Sequence, residues 1–276
     1  MKTDNIYAVP KHVTELAECH FYHTMHVPGH GVVEGEWDLR SGLHRYLGRV
    51  DLTGKRVLDL GTASGLVAFS VEKQASEVIA FDLSHEQDWD IVPYSGLDFD
   101  AARATRKAHI NKINNSFWLS HHACNSSVKL VHGSIYAIPA GIGQVDVSIV
   151  GCLLLHLRDP FLALQSASRL TRETIIVVEP IPRRQMLQHW LYRLPLSRGL
   201  FGMKKPCMHF LPDHRRLGPA ETWWRIPPWT MIEFLSILGF ENTQLTYHRH
   251  RYKKMRRILY TVVGRRKGKR QPSCGT

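Results

Sequence analysis

Four polar side chains lie at or just beyond the ends of short apolar runs, where buried strands would end. They are Asp59, Asp82, His156 and Glu179. Ligands of open α/β sheets bind at the carboxyl ends of the strands, so we expect these side chains to gather on one rim of a sheet. Carboxylates accept hydrogen bonds from hydroxyl groups, and histidine can take up a proton near neutral pH. The spacing therefore predicts a binding site with acid–base chemistry.

The first apolar run leads into a turn of small residues. Residues 57–60 read Val-Leu-Asp-Leu, residues 61–65 read Gly-Thr-Ala-Ser-Gly, and apolar residues at helical spacing follow. This pattern indicates a buried strand, a tight loop and the N-terminus of a helix. Glycine lets a ligand approach the backbone closely, and a helix start offers free N–H groups with partial positive charge. Together they predict a nucleotide-type binding corner.

The type of nucleotide follows from the spacing of this loop. Asp59 occupies the place of the first glycine in the dinucleotide fingerprint, and no Gly-Lys-Ser/Thr follows as a phosphate-binding P-loop requires. The pattern Asp-x-Gly-x-x-x-Gly resembles motif I of the class I S-adenosylmethionine (SAM) methyltransferases. A second apolar strand ends at Asp82, about 20 residues after the loop, where a βαβ unit would place it.

The resemblance implies SAM as the cofactor, with Asp82 binding the ribose hydroxyls. Relatives often carry an acid after the third strand, where Ser134 stands here, which puts one adenine contact in doubt. The cofactor contacts that the resemblance implies are Asp59, Gly61, Thr62, Ala63, Gly65, Asp82, Leu83, Gly133, Ser134, Ile135 and Gly151.

The implied fold is α/β and Rossmann-like, a seven-stranded and mostly parallel sheet with an antiparallel last strand. The chain divides into an N-terminal lead-in (1–50), a SAM-binding methyltransferase domain (51–263) and a basic tail (264–276). Residues 181–226 interrupt the alternation of strands and helices as a cap insertion, because this segment is too long for an ordinary connection. Its aromatic residues form either a small satellite core or the lining of a substrate cap. The main predicted helices are residues 64–73, 99–120, 161–170 and 227–239, and two last strands are residues 242–248 and 258–263.

Three histidines are candidate bases for an oxygen nucleophile. The stretch from Gly151 to His156 resembles the lining of the methyl-transfer pocket in many class I enzymes, so His156 comes first, followed by His23 and His209. A structural histidine that bridges a helix and a strand is the equal alternative for His156. The histidines of residues 20–30 do not share one helical face, so no metal is expected.

The candidate substrate contacts come from the lead-in, the cap and the rim of the sheet. They are Tyr22, Trp37, Glu179 and Trp223, with the lead-in acting as a lid. Aromatic platforms suit sugar rings, so we expect methylation of a sugar, as in a glycan or glycolipid, or of another small-molecule hydroxyl. One alternative is modification of the tRNA wobble uridine with SAM or carboxy-SAM. The other is a SAM-fold protein that binds a partner without catalysis.

Composition sets the broader limits. The 276 residues include 43% hydrophobic and 22% charged residues, which is ordinary for a globular protein. Five scattered cysteines with no C-x-x-C pair argue against a disulfide framework or a zinc knuckle. No signal peptide or membrane span is evident, so a cytoplasmic enzyme is expected. The net charge is +12, and the stretch from Arg249 to the end holds 11 Lys and Arg without an acid. This stretch is either a solvated tail or a surface for RNA phosphates or anionic membranes.

Overall fold

A mixed sheet of eight strands forms the centre of the protein in a computed structural model that describes residues 6–193, 207–215 and 220–267. The described strands are β1 (Met25–Val27), β2 (Gly31–Val33), β3 (Trp37–Asp38), β4 (Arg56–Leu60), β5 (Glu77–Asp82), β6 (Lys129–His132), β7 (Val145–Gly151), β8 (Thr171–Pro180), β9 (His209–Phe210), β10 (Trp224–Arg225), β11 (Asn242–Tyr252) and β12 (Met255–Arg265). The described helices are α1 (Leu43–Tyr46), α2 (Leu66–Val71), α3 (Phe99–Ala123), α4 (Pro160–Leu170), α5 (Arg183–Arg193) and α6 (Pro228–Ile237).

The order of the strands in the sheet is β3-β11-β12-β8-β7-β4-β5-β6. The pairs from β8 to β6 are parallel, whereas β12 runs antiparallel to both β8 and β11. The predicted seven-stranded sheet with an antiparallel last strand is therefore confirmed, and β3 of the lead-in adds a short eighth strand at the edge. Strand β5 pairs with one side of β4, and β7, which comes later in the chain, pairs with the other side of β4. Such a switch point is where open α/β sheets bind ligands.

Both faces of the sheet are buried, which explains why its strands read as nearly continuous apolar runs. Neighbouring residues of β4 pack on opposite faces of the sheet. Val57 belongs to one apolar cluster, whereas Leu58 and Leu60 belong to the other. Phe117 of α3 packs in the first cluster, and Leu164 of α4 packs in the second. The helices thus hold the strand ends in fixed positions around the switch point.

Local signals set most helix boundaries. The side chain of Asp98 accepts a hydrogen bond from the backbone N–H of Ala101 at the start of α3, and Asp159 caps Leu162 in the same way on α4. Gly239 has a φ of +88° just beyond α6, a conformation that glycine adopts freely at the end of a helix.

Several bounds differ from the prediction. Helix α2 covers only Leu66–Val71 rather than residues 64–73, and the last two strands extend to Asn242–Tyr252 and Met255–Arg265. Helix α3 continues beyond residue 120, and His121 Nε2 is 2.9 Å from the carbonyl oxygen of Val128. This contact with the next strand supports the last turn of the helix, and it depends on tertiary packing.

The lead-in and part of the cap are attached to the sheet rather than separate from it. The hydroxyl of Ser64 accepts hydrogen bonds from the backbone N–H of Tyr22 at 2.6 Å and of His23 at 3.4 Å, so the lead-in is tied to the glycine loop. The described part of the cap contains α5 and the β9–β10 pair. The predicted cap also includes residues 194–206 and 216–219, which lie outside the described residues. Within the described ranges, no helix is both long and apolar enough to cross a membrane.

Candidate active site

A cavity of about 240 Å³ opens at the carboxyl ends of the parallel strands. Its wall includes residues that follow β4, β5, β6 and β7, together with one face of α3 and the tip of the β11–β12 hairpin. The sequence-predicted residues on this wall are Tyr22, Gly61, Ala63, Asp82, Leu83, Gly133, Ser134, Ile135, Gly151 and His156. Ends of four neighbouring parallel strands thus converge on one space.

The glycine loop and the end of β5 form one unit. Oδ2 of Asp82 accepts a hydrogen bond of 2.7 Å from the backbone N–H of Ala63, and Oδ1 accepts one of 2.8 Å from Leu83. The φ of Gly61 is +75°, and an added Cβ would meet Leu153 Cδ2 at 3.2 Å, so a side chain would be both strained and crowded. Burial raises the pKa of Asp82 to about 6. Its carboxylate therefore shapes the loop while it also lines the cavity.

The other three predicted residues of this loop support it from outside the cavity wall. Asp59 is buried, and burial, with the nearby charge of Asp82, raises its pKa to about 7. A Cβ on Gly65 would lie 2.3 Å from the ring of Phe69, so this glycine is needed for helix packing. Thr62 is 1% exposed. Their positions fit a structural role better than direct contact with a ligand.

One face of α3 closes the cavity, and the sequence reasoning did not assign it to the site. Arg106, His109, Ile110, Ile113 and Asn114 all line the space. Asn114 Nδ2 donates a 3.1 Å hydrogen bond to the carbonyl oxygen of Leu83, which joins the helix to the end of β5. The spacing of three or four residues was the available signal, but the direction in which this face points depends on tertiary packing.

His156 lies half-buried on the opposite wall of the same cavity. Its Nδ1 is 2.5 Å from the backbone carbonyl oxygen of Glu221. A carbonyl can only accept, so Nδ1 carries the proton and Nε2 of the neutral ring is left unprotonated. Burial lowers the pKa of His156 despite the favourable contact with Glu221. The ring is therefore held in the form that can accept a proton at Nε2.

Aromatic and charged groups line the region around His156. The Trp89 ring lies edge-on to the His156 ring, with 6.0 Å between their centroids. The Arg106 guanidinium lies 5.6 Å from the centroid of the Trp89 ring and pairs with the Glu221 carboxylate at 3.0 Å. Trp89, Tyr252, Lys253, Glu36, Asp88 and Asp90 join the wall although sequence reasoning had not selected them. They come from distant segments, which only folding brings together.

Two of the three predicted bases lie outside this wall. His23 is 6% exposed, its Nδ1 makes no hydrogen bond within the described part of the chain, and burial lowers its pKa to about 4. His209 is exposed on β9, where it pairs with Arg225 across the β9–β10 ladder. Neither ring belongs to the residues that surround the cavity, and a role of His23 or His209 as a base stays a prediction.

Three predicted substrate residues also act as supports rather than as lining. Glu179 is 1% exposed, and its Oε1 accepts a 2.8 Å hydrogen bond from the backbone N–H of Leu154. Trp37 is buried against Tyr252, with ring centroids 4.7 Å apart. Trp223 is buried and its Nε1 donates to the carbonyl oxygen of Asp90 at 2.7 Å. Each of these side chains thus contacts a neighbouring residue and is absent from the lining of the cavity, so its contact with a substrate stays a prediction.

Among the described residues, no group of three or more His, Cys, Asp or Glu side chains could hold a metal ion. The donors of the cavity instead match an organic nucleoside. A half-exposed carboxylate stands at the end of β5, and Phe81, Leu83 and Ile135 supply apolar surface beside it. This donor set fits the ribose and base of SAM.

Comparison with known proteins gives similarity at the level of fold. No protein-family model matches the chain, and no curated protein matches it. The N-terminal domain of EvdMO1, solved with S-adenosylhomocysteine (SAH) bound, is 17% identical over 82% of this chain and 79% of that one, with a TM-score of 0.42. Magnesium protoporphyrin IX methyltransferase (ChlM) from Synechocystis PCC 6803 with bound SAH is 11% identical over 81% of each chain, with a TM-score of 0.45. A SAM-dependent methyltransferase from Methanosarcina mazei is 13% identical over 81% of this chain and 96% of that one, with a TM-score of 0.44. At these values the likeness concerns the α/β fold alone.

Proposed function

We propose that this chain is a SAM-dependent methyltransferase that methylates an oxygen of a sugar or of another small-molecule hydroxyl. The observation that carries the proposal is the arrangement at the end of β5. There the Asp82 carboxylate lines the same cavity as the glycine loop and the residues that follow β6 and β7. SAM, when bound, supplies a methyl group that is already activated on a sulfonium.

Residues of the chain would bind the cofactor and align the acceptor oxygen. Asp82 would accept hydrogen bonds from the ribose hydroxyls, since a carboxylate has room for several donors. Leu83 and Ile135 would cover the faces of the adenine, and Gly133 would leave space beside it. The walls of the cavity exclude water and align the acceptor oxygen, which is the main requirement for transfer from an activated donor.

His156 is the proposed general base. Its Nδ1–H is engaged by the Glu221 carbonyl, so Nε2 is the atom that would take the proton from the acceptor hydroxyl. Trp89 offers an aromatic face and Arg106 a donor beside it. Sugars combine apolar ring faces with hydroxyl groups, so this pairing of aromatic and polar groups favours a saccharide acceptor.

The first experiment is calorimetric titration with SAH. We expect micromolar binding by the wild type and a loss of about tenfold or more in Asp82→Asn, because hydrogen bonds to a charged group contribute about 1.5–3 kcal/mol each. Asp100→Asn is the matched control, since Asp100 is exposed in the first turn of α3. No binding by the wild type, or equal binding by Asp82→Asn, would refute the assignment of the cofactor site.

Turnover distinguishes an enzyme from a SAM-fold binding protein. Purified protein with SAM would be incubated with a panel of free and lipid-linked sugars, and SAH formation would be measured against reactions without acceptor. Acceptor-dependent SAH formation supports the proposal. Tight SAH binding with no SAH formation across the panel favours either an untried acceptor class or the non-catalytic alternative.

A second candidate is transfer from carboxy-SAM to the wobble uridine of tRNA. Such a donor needs a cation for its additional carboxylate, and Arg106 and Lys253 both line the cavity. Each already faces an acid, since Arg106 pairs with Glu221 at 3.0 Å and Lys253 lies 3.4 Å from Glu36. Competition between the two donors tests this alternative. Tighter binding of carboxy-SAM than of SAM, lost in Arg106→Gln, would favour it.

A further inference from the structure

A second hollow, of about 930 Å³, lies between the lead-in and the β11–β12 hairpin. Six cationic side chains line it, namely Arg40, Arg45, Arg249, Arg251, Lys254 and Arg256. Only two carboxylates face them, those of Glu34 and Asp38. The sequence placed basic residues in the last part of the chain, whereas the fold adds Arg40 and Arg45 from a segment about two hundred positions earlier to the same surface.

The acids of the hollow are already engaged. Both Asp38 oxygens accept hydrogen bonds from Arg40 at 2.9 Å, and this contact lowers the pKa of Asp38. Arg251 lies 3.7 Å from both Glu34 and Asp38. Within the described ranges, no ion pair is found for the other four lining cations. The hollow therefore carries an excess of positive charge.

The hairpin also brings like charges face to face. Arg251 and Arg256 are direct partners across the antiparallel ladder, and both line the hollow. Like charges directly opposite on a ladder are destabilising. Lys254, in the turn between the strands, adds to the same field. An anion bound between these side chains would remove this repulsion.

A buried histidine lies beside these cations. His250 lines the hollow and is only 4% exposed, and its ring packs against those of His248 and Tyr46, with centroids 4.9 Å and 6.0 Å away. A Cβ on Gly42 would lie 2.8 Å from His250 Cε1, so the absent side chain lets the lead-in approach the ring. The buried ring thus joins the lead-in to the hairpin beside the hollow.

We propose that this hollow binds a ligand with two or more adjacent phosphate groups. Guanidinium groups match phosphate oxygens through paired hydrogen bonds, and four cations without ion pairs exceed what one phosphate needs. The phosphates could belong to a diphosphate-bearing small molecule or to an RNA backbone, since both present the same chemistry. The site stands apart from the proposed methyl transfer, although Tyr252 and Lys253 at the same hairpin tip line the main cavity.

The test compares two probes by calorimetry at low salt, inorganic pyrophosphate and a short single-stranded RNA. Micromolar binding of pyrophosphate, with a rise in melting temperature, would indicate a diphosphate-bearing ligand. Binding of RNA alone, with affinity that falls steeply between about 50 and 200 mM salt, would indicate a nucleic-acid backbone. Either result supports the proposal, and binding of neither probe overturns it.

Matched variants locate the binding. Arg251→Gln combined with Arg256→Gln should weaken binding at least tenfold, and the melting temperature without ligand should stay equal or rise because the repulsion is relieved. Lys254→Gln, in the exposed turn, should weaken binding severalfold with no effect on folding. Arg172→Gln is the control, because it also removes one positive charge, but at the amino end of β8, away from the tip of the hairpin. It should leave binding unchanged.

The outcomes that would overturn the proposal are specific. Unchanged affinity in the double variant would place the phosphates elsewhere on the protein. Binding to vesicles that contain phosphatidylserine, without binding of pyrophosphate or RNA, would identify a membrane surface instead. SAH binding in these variants should match that of the wild type, so failure here is separate from failure of the cofactor assignment.

Discussion

Glu179 should make the stability of the protein fall as the pH rises, and replacement by glutamine should abolish that part of the fall. Burial raises the pKa of this carboxyl from 4.5 to about 8, although backbone N–H groups of residues 153–155 oppose the rise. The folded state therefore holds a proton that the unfolded state has released between these two values. The stabilisation is complete below pH 4.5 and is lost as the pH passes about 8.

The size of the effect follows from the shift. One pKa unit corresponds to about 1.36 kcal/mol. The unfolding free energy lost over the whole range between the two pKa values is therefore roughly 5 kcal/mol as an upper bound. Between pH 5.5 and 7.5, Glu179→Gln should gain about 3 kcal/mol in unfolding free energy relative to the wild type. A gain of this size corresponds to roughly 6–12 °C in melting temperature for a chain of this length. The amide oxygen of glutamine can still accept the hydrogen bond from Leu154.

Urea unfolding at pH 5.5, 6.5 and 7.5 measures this difference, with calorimetric melting as a second readout. Glu173→Gln is the control on the same strand, because Glu173 is exposed and forms a surface ion pair of 2.7 Å with Lys55. It should change stability by less than about 1 kcal/mol. A constant difference between Glu179→Gln and the wild type across this range would refute the reasoning.

Three further predictions concern the site and its supports. His156→Gln should lower the methyl-transfer rate by a factor of about 10²–10⁴ with SAH affinity retained. In the wild type the rate should fall only below pH 6.5, because burial lowers the pKa of the base. An unchanged rate in the variant would exclude His156 as the base. Ser64→Ala should cost about 1–3 kcal/mol in unfolding free energy, because it removes the buried acceptor of the Tyr22 N–H; urea unfolding that matches the wild type would argue against this tether. Gly151→Ala should cost about 1–3 kcal/mol, because the added Cβ would lie 2.0 Å from the buried Tyr46 hydroxyl oxygen; a melting temperature equal to the wild type would contradict it.

Local patterns in the sequence predicted the parts of the fold that depend on local physics. The glycine loop and the acid at the end of β5 were found because tight turns and strand ends have short-range signatures. Pro160 begins α4 because its ring fixes φ near the helical value, and Gly239 lies just beyond α6 because it adopts a positive φ without strain. The antiparallel last hairpin followed from family resemblance, and the structure confirms it.

Local signals were not enough to predict which side chains line the site. The sequence predicted that Asp59, Asp82, His156 and Glu179 gather on one rim, because parallel strands all present their carboxyl ends to the same edge. Asp82 and His156 line the cavity, whereas Asp59 and Glu179 are buried outside its wall. The sequence also assigned Glu179 and Trp37 to the ligand, whereas folding buries both as supports. Strand-end position tells which edge a side chain is near but does not tell whether the side chain faces the cavity or a neighbouring backbone group.

Only the tertiary structure decided which distant segments meet. The face of α3 that lines the cavity, the carbonyl of Glu221 and the hairpin tip at Lys253 meet His156 and Asp82 around one space, through contacts between residues far apart in the chain. Arg40 reaches the basic hollow in the same way. The sequence by itself determined the elements and the cofactor-binding corner, because these depend on neighbours within a few residues. The acceptor side and the second hollow depend on packing between elements, and no local pattern contains that information.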